Sequence, residues 1–348
     1  MLSFYPGPSQ VYPQIAQYLQ DAYVSGMLSV NHRSAPAMEL VAETCQLLRE
    51  KLSVPQDYGI YFVSSATECW EIIAQSLIRK QSEHIYTGAF GEKWADYTQK
   101  LGVEVVRHSL NPEEEILLGS QCEMLCLTQN ETSNGTQISM ISLRAIRQSS
   151  SALLALDATS SMAGIDFDWS LGDVWFASVQ KCFGLPAGMA LLICSPQALE
   201  KARQVNERNH YNSLLFIHEN AAKYQTHYTP NVLNIYLLNR VLKQVRPIVA
   251  VASTLAERAA ELYQFFEERT SWKPLIQNPS VRSDTVLALT GTSGQIKGLK
   301  QAATQQKISI GNGYGAWKES TFRIANFPAL TNQDFEELRR FIITYENQ

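Results

Sequence analysis

Residues 175–188 read WFASVQKCFGLPAG. Together with Val174 the first part is an apolar run without polar alternation, which is how a strand reads when both faces of its sheet are covered. It gives way to Lys181 and then to a turn rich in Gly and Pro. A strongly hydrated ammonium at the exit of a buried strand is costly unless something there engages it. Outward from this stretch the texture recurs. YGIYFV (58–63), HIYTG (84–88), VEVVRHS (103–109), EMLCLTQ (123–129), ALLALDA (152–158) and GMALLICS (188–195) read as further strands. Between them lie amphipathic stretches such as TECWEIIAQSLIRK (67–80), with Trp70, Ile73 and Leu77 on one helical face, and GEKWADYTQKLG (91–102). Strands alternating with helices predict an α/β domain with a largely parallel sheet covered on both sides.

The texture changes beyond Pro230. Residues 231–269 are almost continuously helical in pattern, interrupted by Pro247. Strand signals at DTVLALT (284–290), KISIG (307–311) and TFRIAN (321–326) follow, with helices near 294–306 and 331–346. These predict a smaller α+β C-terminal domain. The division expected is 16–235 for the large domain, and 1–15 with 236–348 for the small one.

A net charge of −4 over 348 residues, without a basic block, argues against nucleic acid or anionic membrane as a partner. No apolar run is long enough to span a bilayer, and MLSFYPGPSQ has no basic or apolar leader pattern. The six cysteines are scattered without metal-ligand spacing, so no metal is expected and the thiols read as reduced, in a cytoplasmic protein.

Ligands of open parallel sheets bind beyond the carboxyl ends of the strands, so the residues that follow each strand carry the chemistry. After YGIYFV comes SSATE, where Ser65 and Glu68 have capping-box spacing; free backbone N–H groups there suit a phosphate, or simply cap a helix. Phe90 follows HIYTG, as a stacking ring or as core. NETSNGT (130–136) follows EMLCLTQ, as a source of hydrogen bonds or as a solvated turn. Asp157 ends ALLALD, where a buried carboxylate wants a cation and a helix cap competes. Lys181 ends the series. Their order describes a site for a flat phosphorylated cation, and pyridoxal phosphate fits: lysine forms an imine with it, and aspartate keeps its ring nitrogen protonated. A surface lysine is the competing reading.

YPGPSQVYP (5–13), NHRS (31–34), LTQNETSNGT (127–136), DATSSMAGIDFD (157–168), ASVQKCFGLPAG (177–188), YTPN (228–231) and FRIAN (322–326) occur in that order. With them the chain resembles the class V aminotransferases of the fold-type I pyridoxal phosphate enzymes, and most of all the phosphoserine aminotransferases. The resemblance implies a large domain with a mainly parallel seven-stranded sheet and a smaller α+β domain. It makes Lys181 the imine lysine and proton carrier, Asp157 the partner of the ring nitrogen, Phe90 the stacking ring and Thr132 a bond to the ring hydroxyl. Ala66, Thr67 and Gln180 would hold the cofactor phosphate, joined by Thr229 of a neighbouring subunit, which implies a homodimer with shared sites. Arg323 would hold the substrate α-carboxylate, and His32 and Arg33 the substrate side chain.

Several positions depart from that family. Phe90 replaces the usual Trp, Tyr228 the usual Asn before Thr229, and Thr67 a frequent Arg. GNGYGAWKES (311–320) stands where a second His-Arg pair is expected and resembles the alanine–glyoxylate relatives, leaving Lys318 as a cation to compensate. The reaction implied is exchange of 3-phospho-L-serine and 2-oxoglutarate with 3-phosphohydroxypyruvate and glutamate, in serine biosynthesis. An aminotransferase for small unphosphorylated donors is the alternative. A lyase of the cysteine desulfurase type fits less well, since Phe90 and Gln180 stand where histidines belong and no Cys follows Cys194. A non-catalytic nucleotide-binding protein is disfavoured because GTSGQIKGLK (291–300) lacks the Gly-Lys-Ser/Thr ending of a phosphate loop.

Overall fold

The run around Trp175 forms an inner strand of a seven-stranded sheet in the computed structural model, which describes residues 1–347. Numbered along the chain, the first strands are β1 (Leu2–Phe4), β2 (Gly59–Val63), β3 (Gln81–Tyr86), β4 (Glu104–Ser109) and β5 (Met124–Thr128). A short ribbon of β6 (Asn130–Glu131) and β7 (Thr136–Gln137) follows, then β8 (Leu153–Asp157), β9 (Val174–Ser178) and β10 (Ala190–Cys194). The last four are β11 (Lys273–Pro274), β12 (Val286–Thr290), β13 (Ile308–Asn312) and β14 (Thr321–Ala325).

The large sheet has the order β2-β10-β9-β8-β5-β3-β4, and β10 alone runs antiparallel to its neighbours. The segment joining β9 to β10 contains no helix to carry a parallel crossover, so the chain can only fold back. Alternation along β9 explains its unbroken apolar sequence. Trp175 and Ala177 enter one core with helices Ile15–Val24, Ala35–Leu52, Met140–Ser149 and Val232–Gln244. Val174 and Phe176 enter another with Ala66–Leu77, Pro196–Val205, Leu214–Ala221 and Trp94.

The second sheet, β1-β13-β14-β12-β11, packs with helices Ile248–Arg269, Ser293–Gln305 and Asn332–Glu346 around Phe266, Leu299, Phe322 and Phe335. The division expected at 235/236 needs correcting. Leu237, Leu238, Val241 and Leu242 belong to the large-sheet core, so that cut would split a helix packed wholly on one side. We place the change at Pro247, the N-cap of Ile248–Arg269, whose ring cannot continue the preceding helix. Cys182 packs in the small-domain core directly beside Lys181, so the lysine stands where the two cores meet.

Candidate active site

Thr128, Asp157 and Ser178 are the last residues of the adjacent parallel strands β5, β8 and β9. A cavity of about 270 Å³ opens at that edge. Ala66, Thr67, Phe90 and Thr132 line it, and so do Asp157, Gln180, Lys181 and Arg323.

Lys181 is buried, and its Nζ donates to Thr132 Oγ1 and Ser160 Oγ, both at 2.9 Å. Burial pulls its pKa down to about 8, against the attraction of Asp157 and with help from the Arg323 charge. It is therefore a better nucleophile near neutrality than an exposed lysine. Burial raises the Asp157 carboxyl above its usual range, opposed by the Thr159 backbone N–H, at 2.9 Å, and by the Lys181 charge. The chain's first segment closes one side. Ser9 N–H donates to the Gln180 carbonyl at 3.1 Å. Gly7 has φ +147°, which a side-chain-bearing residue adopts only with strain, and a Cβ there would lie 3.0 Å from Lys181 Cε and press on the lysine.

NETSNGT is not a solvated turn. It forms the buried β6–β7 ribbon, and Gly135, at φ +77°, approaches the Val286 carbonyl too closely for any Cβ. Within it Glu131 accepts from the backbone N–H groups of Phe90 (3.1 Å) and Gly91 (3.2 Å) and from Ser133. Gly88, the N-cap of helix Ala89–Lys100, has no side chain to offer, so Glu131 caps that helix from outside and fixes Phe90 at the cavity wall. The capping box at Ser65 is half formed: Ser65 Oγ accepts from Glu68 N–H, but the Glu68 carboxylate turns to Ser64 N–H and Oγ, at 2.8 and 2.6 Å.

Arg323 is buried, with Nε on the Asn312 carbonyl and Nη1 on the Thr132 carbonyl, both at 2.7 Å. Its Nη2 makes no hydrogen bond among the described residues, which leaves one edge of the guanidinium for a ligand.

Three predicted residues lie elsewhere in this chain. His32 and the exposed Arg33 sit in the turn before helix Ala35–Leu52, and the exposed Thr229 precedes helix Val232–Gln244; none lines the cavity. Lys318 does not compensate either, since it borders a separate groove with Lys297 and Lys300. Sequence reasoning overlooked Ser160, Trp70 and Tyr314. Ser160 stood in the strand-exit stretch ATSSMAG and was open to notice there, whereas Tyr314 lies in a loop with no periodicity to mark it.

The family model for aminotransferase class V matches residues 6–325. The chain belongs to the class V aminotransferases. It is 28% identical to a phosphoserine aminotransferase of Rhodococcus opacus, over 97% of this chain and 92% of that one. A second, from Corynebacterium glutamicum, is 29% identical over 95% and 91%. A crystal structure of a phosphoserine aminotransferase from Cytophaga hutchinsonii superposes with a TM-score of 0.92 at 30% identity, covering 98% of this chain and 97% of that one. A Thermus thermophilus aspartate aminotransferase shares the fold, at a TM-score of 0.86 and 21% identity.

This aminotransferase depends on pyridoxal phosphate, and its cavity fits the group. Thr128 Oγ1 and Asn130 Oδ1 are buried there without a partner, and Trp70 Nε1 and Thr159 Oγ1, near Asp157, lack one of sound geometry. Folded proteins rarely leave such atoms unsatisfied, and four around one cavity match a ligand with several polar groups. Among the described residues no helix is long and apolar enough to cross a membrane.

Proposed function

We propose that the enzyme exchanges 3-phospho-L-serine and 2-oxoglutarate with 3-phosphohydroxypyruvate and L-glutamate, as a cytoplasmic homodimer serving serine biosynthesis. The observation that carries the reading is the convergence of Lys181, Asp157 and Arg323 on one cavity with unsatisfied polar walls. The choice of substrate is supported by relatives named phosphoserine aminotransferase that align over nearly the whole chain.

Bound pyridoxal phosphate supplies an electron-poor ring that accepts the electron pair left when a proton departs from the substrate Cα. The residues of the chain do the rest. Lys181 would hold the cofactor through its Nζ and would carry the proton to and from the substrate Cα. Asp157 would hold a proton at the ring nitrogen. Phe90 would lie against the ring, and Thr132 would bond its hydroxyl. Ala66, Thr67 and Gln180 bind the phosphate around a helix N-terminus. Arg323 grips the α-carboxylate with its free edge. Arg33 and Thr229 are exposed, His32 is half-buried and all three lie outside their own chain's cavity, so they serve the site of a second copy.

Thr67 and the GNGYGAW loop remove cations that a phosphorylated donor favours, and so support the alternative of an unphosphorylated donor. Rates with phosphoserine, serine and alanine against 2-oxoglutarate, pyruvate and glyoxylate distinguish the two. Phosphoserine with 2-oxoglutarate is expected to give the highest kcat/KM; a preference for alanine with glyoxylate would replace this reading.

A further inference from the structure

At the mouth of the cavity Tyr314 stacks on Phe90, with ring centroids 5.0 Å apart and planes inclined by 14°. Lys93 lies one turn beyond Phe90 on helix Ala89–Lys100, on the same side. Its Nζ donates to Tyr314 Oη at 2.5 Å and stands 4.8 Å from the centroid of that ring. Arg323 Cζ stands 5.5 Å from the same centroid. One aromatic ring thus has two cations beside it. One is buried and suited to an α-carboxylate; the other is exposed and pairs with no carboxylate among the described residues.

We propose that Lys93 and Tyr314 together read the second anionic group of the substrate, the phosphate of phosphoserine or the distal carboxylate of glutamate. This rests on the reading of the cavity as the aminotransferase site. The hydrogen-bond inventory supports it. Because Tyr314 Oη accepts from Lys93, its own hydrogen is free to donate, and the ammonium keeps two further N–H groups. An anion arriving there meets a charged donor and a neutral one held together. Under this proposal a substrate with two acidic groups engages both cations, whereas alanine, with one, engages only Arg323. The pair also supplies a positive charge where the loop 311–320 lacks the family's His-Arg pair.

The test uses holoenzyme and compares kcat/KM for phosphoserine, glutamate and alanine in wild type, Lys93→Met, Lys93→Arg and Tyr314→Phe. Loss of a charge-assisted bond predicts that Lys93→Met lowers kcat/KM for the two diacidic donors on the order of 10–100-fold, chiefly through KM, and for alanine far less. Tyr314→Phe keeps the stack and is expected to show the same selectivity with a smaller loss. Lys93→Arg should restore most of the diacidic activity. Equal losses for all three donors, or no loss for any, would overturn the proposal. Wild type that uses glutamate but refuses phosphoserine would remove the phosphoserine reading instead, and the glutamate-to-alanine comparison would still decide the role of Lys93.

Discussion

Lys181 combines two demands, a buried position and a titrating amine. With a pKa near 8, set mainly by burial, its neutral form grows as pH rises through that value. Because the neutral amine attacks the aldehyde, cofactor loading into apoenzyme should accelerate as pH rises from 7 through about 8 and level off roughly a unit above that. Stopped-flow absorbance measures this; a rate independent of pH would mean that another step limits capture. Borohydride reduction of the holoenzyme should fix the cofactor on the peptide that contains Lys181. Lys181→Ala should still bind cofactor but lose turnover, whereas transamination near the wild-type rate would remove the lysine from its role. Asp157→Asn, which keeps the shape but not the charge, should lower kcat by at least about 100-fold, read in single-turnover assays. Lys181 and Asp157 were readable from sequence because a charge that ends an apolar strand is conspicuous. Tyr314 was not, since an aromatic residue in an irregular loop looks the same whether it covers a site or merely packs.

Helix Ala89–Lys100 shows how an element is set by a distant residue. Its N-terminal N–H groups have no capping side chain of their own: Ala89 N–H donates to Ser133 Oγ, and those of Phe90 and Gly91 donate to the buried Glu131 carboxylate. Glu131→Ala should therefore destabilise the fold by about 2 kcal/mol, read from the urea midpoint, and should also lower kcat because Phe90 and Lys93 ride on that helix. An unchanged midpoint would mean that water replaces the carboxylate. The strands and helices of the large domain were legible because their apolar spacing repeats. The direction of β10 was not, since an apolar run has no polarity; only the short connection, without a crossover helix, dictates it. Nor was the burial of NETSNGT, whose polar composition suits a surface turn until its bonds are traced inward.

Across the whole molecule, the positions of Arg33 and Thr229 make the proposed sharing of the site between two copies testable. Lys181→Ala and Arg33→Ala chains, each impaired alone toward phosphoserine, should on co-expression regain about a quarter of wild-type activity, because half of the dimers are mixed and each has one intact site. No recovery would place Arg33 in the service of its own chain. A lone sequence states which residues are cationic but not which copy they serve, so this part of the site could be inferred only through resemblance. The boundary between the domains was misplaced for a related reason: helix Val232–Gln244 is amphipathic wherever it docks, and only its contacts assign it to the large core. β1 carries an obligation in time. Among the described residues it pairs only with β13, whose residues Ile308–Ile310 leave the ribosome long after Leu2–Phe4. Until that late partner appears, β1 has no strand to pair with, and the segment bearing Gly7 is tethered beside Lys181 only from the Ser9 side, through the Gln180 carbonyl, so the wall there stays half anchored. A nascent chain halted before β13 should therefore have its large sheet formed and still fail to retain the cofactor.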